Sequence, residues 1–315
     1  MNSASSTAHM RAAAILGPGC SAKDLRRFQS DDRVEWLTGL PSSSEQVDII
    51  LLFGGDGTIH RYLGRLVKLA LPVLVVPVGS GNDFARALGF RGVKNSVAAW
   101  GRFCAGHGKV RVIDLGTITS SLKEAGGAPA PREPDLGQDS PPDSPHYFCS
   151  VAGLGLGSEV TRRANRLPSW LRGNGGYAAA LFPTLFQFAP FRMKIFTKDA
   201  GGQRTILSHQ PAMLAAFANT PIYGGGMRIA PQAQMDDGKL NVCVIGGIDL
   251  FKLACLFPTV YFGRHLGIKE VKYFQAARLC VETERPLDVY ADGEYVCHTP
   301  VEFGVQHEAL KVLVP

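Results

Sequence analysis

The passage that most constrains this chain is VDIILLFGGDGTIHRYLGRLVKLA, residues 47–70. A continuous apolar run ends there on Gly54, Gly55, Asp56, Gly57 and Thr58 and gives way to helical spacing. An apolar run without alternation implies a strand buried on both faces, as in a parallel sheet. The apolar residues at 59, 63, 66, 67 and 70 recur at intervals of three and four, the period of a helix with one buried face. A strand that turns through glycines into a helix start makes an anion site. The absent side chains let the backbone approach, and unpaired N–H groups at the positive end of the helix face the charge. An isolated Gly-Asp-Gly is more simply a hairpin turn, but a helical pattern rather than a second strand follows it here. The Asp56 carboxylate would repel phosphates unless a cation or a donor network stands beside it, which points to magnesium or a basic bridge. No GxxxxGK[ST] segment occurs, so the site is not of the Walker type.

A second loop of this kind follows the next strand, in VLVVPVGSGNDFARALG. Gly79 and Gly81 permit a tight turn, Ser80 can donate to a phosphate, and Asn82 or Asp83 can cap the short helix FARAL. Alone this is a capped helix, yet two adjacent strand ends carrying such loops converge on one crevice. With RAAAIL (11–16) and KVRVIDL (109–115), residues 1–116 alternate strands and helices and predict an α/β domain with a mainly parallel sheet.

Residues 119–145 are crowded with Pro, Gly, Ser and Asp and carry too little apolar surface to offset their ordering entropy. They predict a disordered insertion, either a linker between domains or the long loop of a hairpin between VIDLGTI and YFCSVAG. Beyond it, YFCSVAGLG, RMKIFTK, PAMLAAFAN, LNVCVIG, RLCVETE, LDVYADG and ALKVLVP read as strands, with one or two helices at about 158–188 and 249–266. Residues 117–315 therefore predict an antiparallel β domain.

A chain of 315 residues fits this division into two domains. The seven cysteines are odd in number and contain no CxxC pair, which argues against a disulfide framework or zinc site and for a reducing, cytoplasmic compartment. The opening residues lack a signal-peptide core. The apolar stretches at 178–191 and 250–262 fall short of the roughly 20 residues of a spanning helix, so they are core or touch a membrane from one side. The net charge of +6 suits polyanions in general, but no nucleic-acid motif is present. In TRRANRLPSWLRGNGGY, Arg162, Arg163, Arg166 and Arg172 surround Trp170, a mixture that suits an anionic membrane interface or an ordinary solvated face.

GGDGT followed by PVGSGNDFAR resembles the diacylglycerol kinase catalytic-domain family, which includes soluble bacterial diacylglycerol kinases, YegS-like lipid kinases, sphingosine kinases and ceramide kinases. The likeness continues through VAGLGLGSEV (151–160), YGGGMRIAPQAQMDDGKLNV (223–242) and VYADGEYVCHTPVEF (289–303). GGDGT also occurs in NAD kinases, but the ordered set GSGND, GGGMRIAP, DDGKL and DGE is that of the lipid kinases. The resemblance implies a phosphofructokinase-like three-layer α/β domain, a C-terminal antiparallel β-sandwich, and ATP and lipid meeting in the cleft between them.

Carried over by motif, Gly54, Gly55, Asp56, Gly57, Thr58, Ile59 and His60 hold the nucleotide phosphates. Ser80, Gly81 and Asn82 complete that side, and Thr38 matches a threonine on the second strand. The resemblance implies a magnesium site from the Asp237 carboxylate and the main-chain oxygens of Gln234 and Lys239; as plain sequence, Asp236–Gly238 is a solvent turn. It also makes Glu294 the acceptor of the lipid hydroxyl proton, while Asp292 and Gly293 read independently as a hairpin turn. The partners it implies are a lipid substrate and transient contact with the inner face of a membrane; a homodimer is compatible with it.

The chain departs from the family at His60 and Arg61, where many members have Asn-Glu. It departs again at LGPGCSAKD, where an NPxSG-like segment is common, and between Thr38 and Val47, where a helix is often found. An NAD kinase-like enzyme and a non-catalytic nucleotide or lipid binder are the alternatives.

Overall fold

A computed structural model describes residues 9–120, 145–166, 180, 183–184, 188–199 and 201–315. The first half is the parallel sheet that the buried runs predict. Strands β1 (Met10–Leu16), β2 (Val34–Thr38), β3 (Ile49–Gly54) and β4 (Val73–Pro77) lie in the order β2-β1-β3-β4, every pair parallel. All six residues of β3 and all five of β4 are buried, which is why these strands show no alternation. Because β1 has β2 on one side and β3 on the other, chain direction reverses beside β1, and a crevice opens at the carboxyl edge there.

Four helices flank this sheet: α1 (Ala22–Leu25), α2 (Asp56–Leu69), α3 (Asp83–Ala87) and α4 (Val93–Cys104). Helix α2 buries Ile59, Leu63 and Leu66, the stripe its spacing announced, and ends on Ala70 in the left-handed region at φ 52°. No helix lies between Thr38 and Val47.

The second half is antiparallel. Strand β5 (Lys109–Ser120) pairs with β6 (His146–Phe148), so the segment between them joins two neighbouring strands of one hairpin. Of residues 119–145, on which the disordered insertion was expected, Thr119 and Ser120 belong to β5, and 121–144 lie outside the described residues. Strands β7 (Val151–Gly155), β8 (Phe191–Lys198), β9 (Arg204–Ala218), β10 (Leu240–Gly246), β11 (Val271–Ala276) and β12 (Arg278–Thr283) follow, then the hairpin β13 (Asp288–Ala291) and β14 (Glu294–His298). Two helices interrupt them, α5 (Leu156–Asn165) and α6 (Leu250–Tyr261). The expected helix over 158–188 is described only as far as α5 and a few later residues; Trp170 and Arg172 lie outside the description.

Period-two alternation sends β10 into two cores: Leu240, Val242 and Val244 join Phe217 and Phe303, while Cys243 and Ile245 join Leu253, Leu256 and Val160 beneath α6 and α5. Phe217 and Phe303 stack with ring centres 3.9 Å apart.

The last strand, β15 (Val301–Val314), ties the halves together. It runs antiparallel to β5 along its length, antiparallel to β12, and parallel to β4 through Val312 and Val73. Leu310, Val312 and Leu313 consequently belong to the apolar core of the parallel sheet.

Candidate active site

The carboxyl edge of the parallel sheet carries Thr38, Gly17, Gly54 and the loop after Pro77, in that spatial order. Thr38 registers with Ala14, Leu16 with Phe53 and Gly54 with Pro77. The two glycine loops meet directly. A Cβ at Gly79 would lie 2.4 Å from the Cα of Gly55, so only glycine lets these backbones touch. A Cβ at Gly54 would strike the side chain of Thr58, which also fills the space beside Gly17. Thr58 is thus packed into the corner where β1 and β3 end, and its neighbours must be glycines.

Helix α2 opens on Gly55 with no side-chain cap. Its first main-chain bonds run from the N–H groups of Thr58 and Ile59 to the Gly55 carbonyl at 3.0 and 3.1 Å. The N–H groups of Asp56 and Gly57 precede these bonds and stand at the positive end of the helix. Ile59 is 2% exposed, so only its main chain can serve a ligand.

Asp56 has the donor network that its position calls for. Its carboxylate accepts the N–H of Asp83 at 2.9 Å and that of Phe84 at 3.0 Å. It is therefore the cap of α3, supplied from the other loop. The expectation that Asn82 or Asp83 caps α3 is corrected accordingly, since α3 has no cap bond from its own N-cap side chain. Asn82 instead closes its own loop: at φ 60° it donates Nδ2 to the Gly79 carbonyl at 2.5 Å and accepts the Gly79 N–H at 3.2 Å. Burial pushes the Asp56 carboxyl up to about 6, with the Asp83 carboxylate adding to the shift.

Asp83, 4% exposed, accepts the N–H of Gly225 at 2.8 Å and the Arg86 guanidinium at 2.6 Å. Burial raises its carboxyl as well. The second glycine loop is thereby fastened to the hairpin in which Tyr223 and Met227 pair and Gly224, Gly225 and Gly226 all have positive φ. Ser80 is exposed on this loop, and Gly81 lies so close to Asp56 that a Cβ there would sit 2.7 Å from Oδ2.

From the other half of the molecule, the β13–β14 turn reaches the first turn of α2. Ala291 pairs with Glu294, leaving Asp292 and Gly293 as a two-residue turn with φ of 51° and 92°. The hairpin reading of this segment is therefore right, and the turn brings the Glu294 carboxylate towards α2. The half-buried Glu294 places Oε1 2.9 Å from where a Cβ would stand on Gly57. The Asp292 side chain is wholly buried; it accepts the N–H groups of Cys149 and Ser150, both at 2.8 Å, and pairs with His60 Nδ1 at 3.0 Å. Burial alone would raise its carboxyl; the His60 contact and the two main-chain donors outweigh it and hold it below the usual carboxylate range. His60 is 4% exposed, and its other ring nitrogen lies 2.9 Å from His146 Nε2, so the ring stands behind the Glu294 turn.

The candidate magnesium ligands sit on a separate turn. Gly238 N–H is anchored to Asp114 Oδ2 at 2.7 Å, and Asp237 Oδ1 accepts the Lys239 N–H at 3.0 Å. Gln234 and Lys239 are exposed and Asp237 is half-buried. One carboxylate with two main-chain carbonyls forms an all-oxygen set of the kind magnesium takes, usually with several waters. Among the described residues, no group of three or more His, Cys, Asp or Glu side chains is arranged to hold a metal.

The fold brings Gly54–Thr58, Gly81, Asn82 and Glu294 into one place. From sequence, Asp83 has only a capping part, Asp292 is a turn residue and the next candidate for the base after Glu294, and His146 has no part. The signal available for Asp83 and Asp292 was their position within GSGND and DGE; for His146 there was none.

Two family profiles match the chain: the diacylglycerol kinase catalytic domain over residues 21–118 and the YegS C-terminal NAD kinase beta sandwich-like domain over 150–314. A diacylglycerol kinase of Mycobacterium tuberculosis is 32% identical over 268 residues, covering 85% of this chain and 77% of the relative. A solved Bacillus anthracis protein described as a candidate diacylglycerol kinase superposes with a TM-score of 0.69 at 21% identity, over 100% of this chain and 98% of its own. An NAD kinase of Archaeoglobus fulgidus, solved with ATP, superposes with a TM-score of 0.51 at 15% identity, over 96% of this chain and 93% of its own. The two structures share the fold.

Proposed function

Because the chain belongs to the diacylglycerol kinase family, we infer that it is an ATP-dependent lipid kinase that transfers the γ-phosphoryl group to a hydroxyl of diacylglycerol or a related acylglycerol or sphingoid lipid. The observation that carries this reading furthest is the approach of Glu294 Oε1 to Gly57, a carboxylate brought from one half of the molecule to the anion-binding helix end of the other.

In this reading the N–H groups at the start of α2, with the loop Gly79–Asn82, hold the ATP phosphates, and Thr38 lines the same edge. Glu294 accepts the proton of the lipid hydroxyl as its oxygen bonds to the γ-phosphorus. The bond from that phosphorus to the β,γ-bridging oxygen breaks, and ADP leaves. Asp237, with the carbonyls of Gln234 and Lys239, would hold magnesium, which would supply positive charge on that turn. We set the boundary between the two domains at residues 116 and 117, with β15 returning to the first.

We assign the lipid tail to the apolar space beside α6. An apolar cavity lies between α5, β9, α6 and the 223–227 hairpin, lined among others by Leu156, Val160, Leu214, Met227, Leu256 and Val260. The same hairpin is held by Asp83 through Gly225. The outer face of α6 is also apolar: Phe251 is 81% exposed and Phe262, just past its end, 72%. Arg264 and Arg228 lie beside them, both exposed, with Arg228 against Gly263, while Lys252 is paired with Glu270. Aromatic residues with a cationic rim suit the headgroup layer of an anionic membrane. No helix among the described residues is long and apolar enough to cross one. We therefore place the enzyme in the cytoplasm, docked from time to time on the inner face of the membrane.

The test is a radiolabelled-ATP assay in mixed micelles of diacylglycerol, monoacylglycerol, phosphatidylglycerol, sphingosine and ceramide, run beside Glu294→Gln. Label transfer to a lipid hydroxyl that falls roughly 100-fold in the variant, with ATP affinity kept, is the expected result. Transfer to none of these lipids, or normal turnover in the variant, contradicts the reading.

A further inference from the structure

Gly57 and His60 are three residues apart on α2 and so share one face of its first turn and a half. Two contacts leave that face for the same hairpin turn: Gly57 meets Glu294, and His60 Nδ1 meets Asp292 Oδ2 at 3.0 Å. Asp292 in turn holds the main chain of residues 149 and 150. Its buried carboxylate can only accept, so Nδ1 of His60 carries the hydrogen. The remaining ring nitrogen faces His146 Nε2 at 2.9 Å across a single hydrogen, which either ring can own. His60 is thus clamped at both ends, and what it clamps is the turn that presents the candidate base.

We propose that His60 is a positioning residue for phosphoryl transfer, fixing the Asp292–Gly293–Glu294 turn against the start of α2 so that Glu294 meets the lipid hydroxyl in line with the γ-phosphate. This rests on the reading of Glu294 as the base. The role needs the Asp292 contact; the His146 contact orients the ring. Removal of the imidazole leaves Asp292 buried with its two main-chain donors and releases the turn from α2, and a shift of about 1 Å at a reacting group is enough to slow a reaction on the order of 100-fold. Nucleotide binding depends on the glycine loops and is left in place.

The substitutions separate the two arms. His60→Ala removes both contacts. In His60→Asn the amide nitrogen takes roughly the place of Nδ1 and can donate to Asp292, but it does not extend to His146. Turnover on micellar diacylglycerol and ATP affinity by calorimetry are measured for the wild type, both His60 variants, Glu294→Gln and the double variant His60→Ala/Glu294→Gln. His60→Ala is expected to lose roughly 10- to 100-fold in turnover with ATP affinity nearly unchanged, and His60→Asn to recover most of that loss. In the Glu294→Gln background, His60→Ala is expected to cost little more, because positioning an absent base has no effect.

Near-normal turnover in His60→Ala, no recovery in His60→Asn, loss of ATP binding together with turnover, or full additivity with Glu294→Gln each overturns the proposal. If Glu294→Gln itself keeps normal turnover, the assignment of the base fails first and this inference falls with it. If Glu294→Gln is slow and His60→Ala is not, only the role of His60 is lost.

Discussion

The Asp56 carboxylate accepts the main-chain N–H of Asp83 at 2.9 Å, so the acidic residue of the first glycine loop caps the helix that the second loop opens. A charge that would repel phosphate is turned sideways into a clamp between the two glycine loops. The N–H groups of α3 spent on Asp56 are withdrawn from any ligand, while those at the start of α2 stay directed at the crevice.

That clamp carries a pH signature. Burial and the Asp83 carboxylate raise the Asp56 carboxyl from 3.8 to about 6, so the folded protein binds this proton more tightly than the unfolded chain does. The stability contributed by the shift is fully present below pH 3.8 and is lost as pH rises through about 6, an effect on the order of 2–3 kcal/mol at most. Asp56→Asn abolishes the titration. Denaturant unfolding at pH 5 and pH 7.5 is expected to show the wild type losing more stability with rising pH than the variant. Parallel pH dependences in the two proteins would place Asp56 outside this environment.

Gly57 offers a substitution in which stability and activity part. Its place in the first turn of α2 favours alanine over glycine by about 0.5–1 kcal/mol. An added Cβ would stand 2.9 Å from Glu294 Oε1, the movable end of that side chain, so the glutamate must swing away from the helix. Gly57→Ala is expected to melt at the same or a higher temperature and to turn over more slowly. Unchanged turnover would mean that Glu294 reacts from some position other than its rest beside α2.

The strand-to-helix passages were legible because each carries a local cause. The unbroken runs of β3 and β4 are buried on both faces, and Ile59, Leu63 and Leu66 recur at the helical period. The Asp292–Gly293 turn was legible for the same reason, as positive φ at both positions is a property of two residues. What stayed hidden is long-range. The pairing of Asp56 with Asp83 and Phe84 spans 27 and 28 positions, and that of His60 with Asp292 spans 232. No periodicity reports such partners. His60 carries a phosphate-side role by motif alone, and only the folded chain reveals that both its ring nitrogens are engaged behind the site. Strand β11, with the pattern VKYFQA, has too little apolar alternation to announce itself and is held by its pairing with β10.

The apolar outer face of α6 yields the last prediction. A helix on a water-facing surface ordinarily turns its polar side outward, whereas α6 buries Leu253, Leu256 and Val260 and still presents Phe251 outside, with Phe262 following it. If a bilayer receives these rings, replacing both with serine removes apolar contact without touching the cavity lining. Flotation with vesicles of phosphatidylglycerol and phosphatidylcholine is expected to show a loss of binding of roughly tenfold or more in Phe251→Ser/Phe262→Ser, and a weakening of wild-type binding at high salt from the screening of Arg264 and Arg228. Turnover on a short-chain diacylglycerol dispersed in water is expected to stay normal, because the rings lie outside the catalytic turn and the glycine loops. Equal vesicle binding by both proteins rules out α6 as the docking face. A wild type that is dimeric in sedimentation, and a variant that is monomeric, would assign the same rings to a second copy of the chain instead.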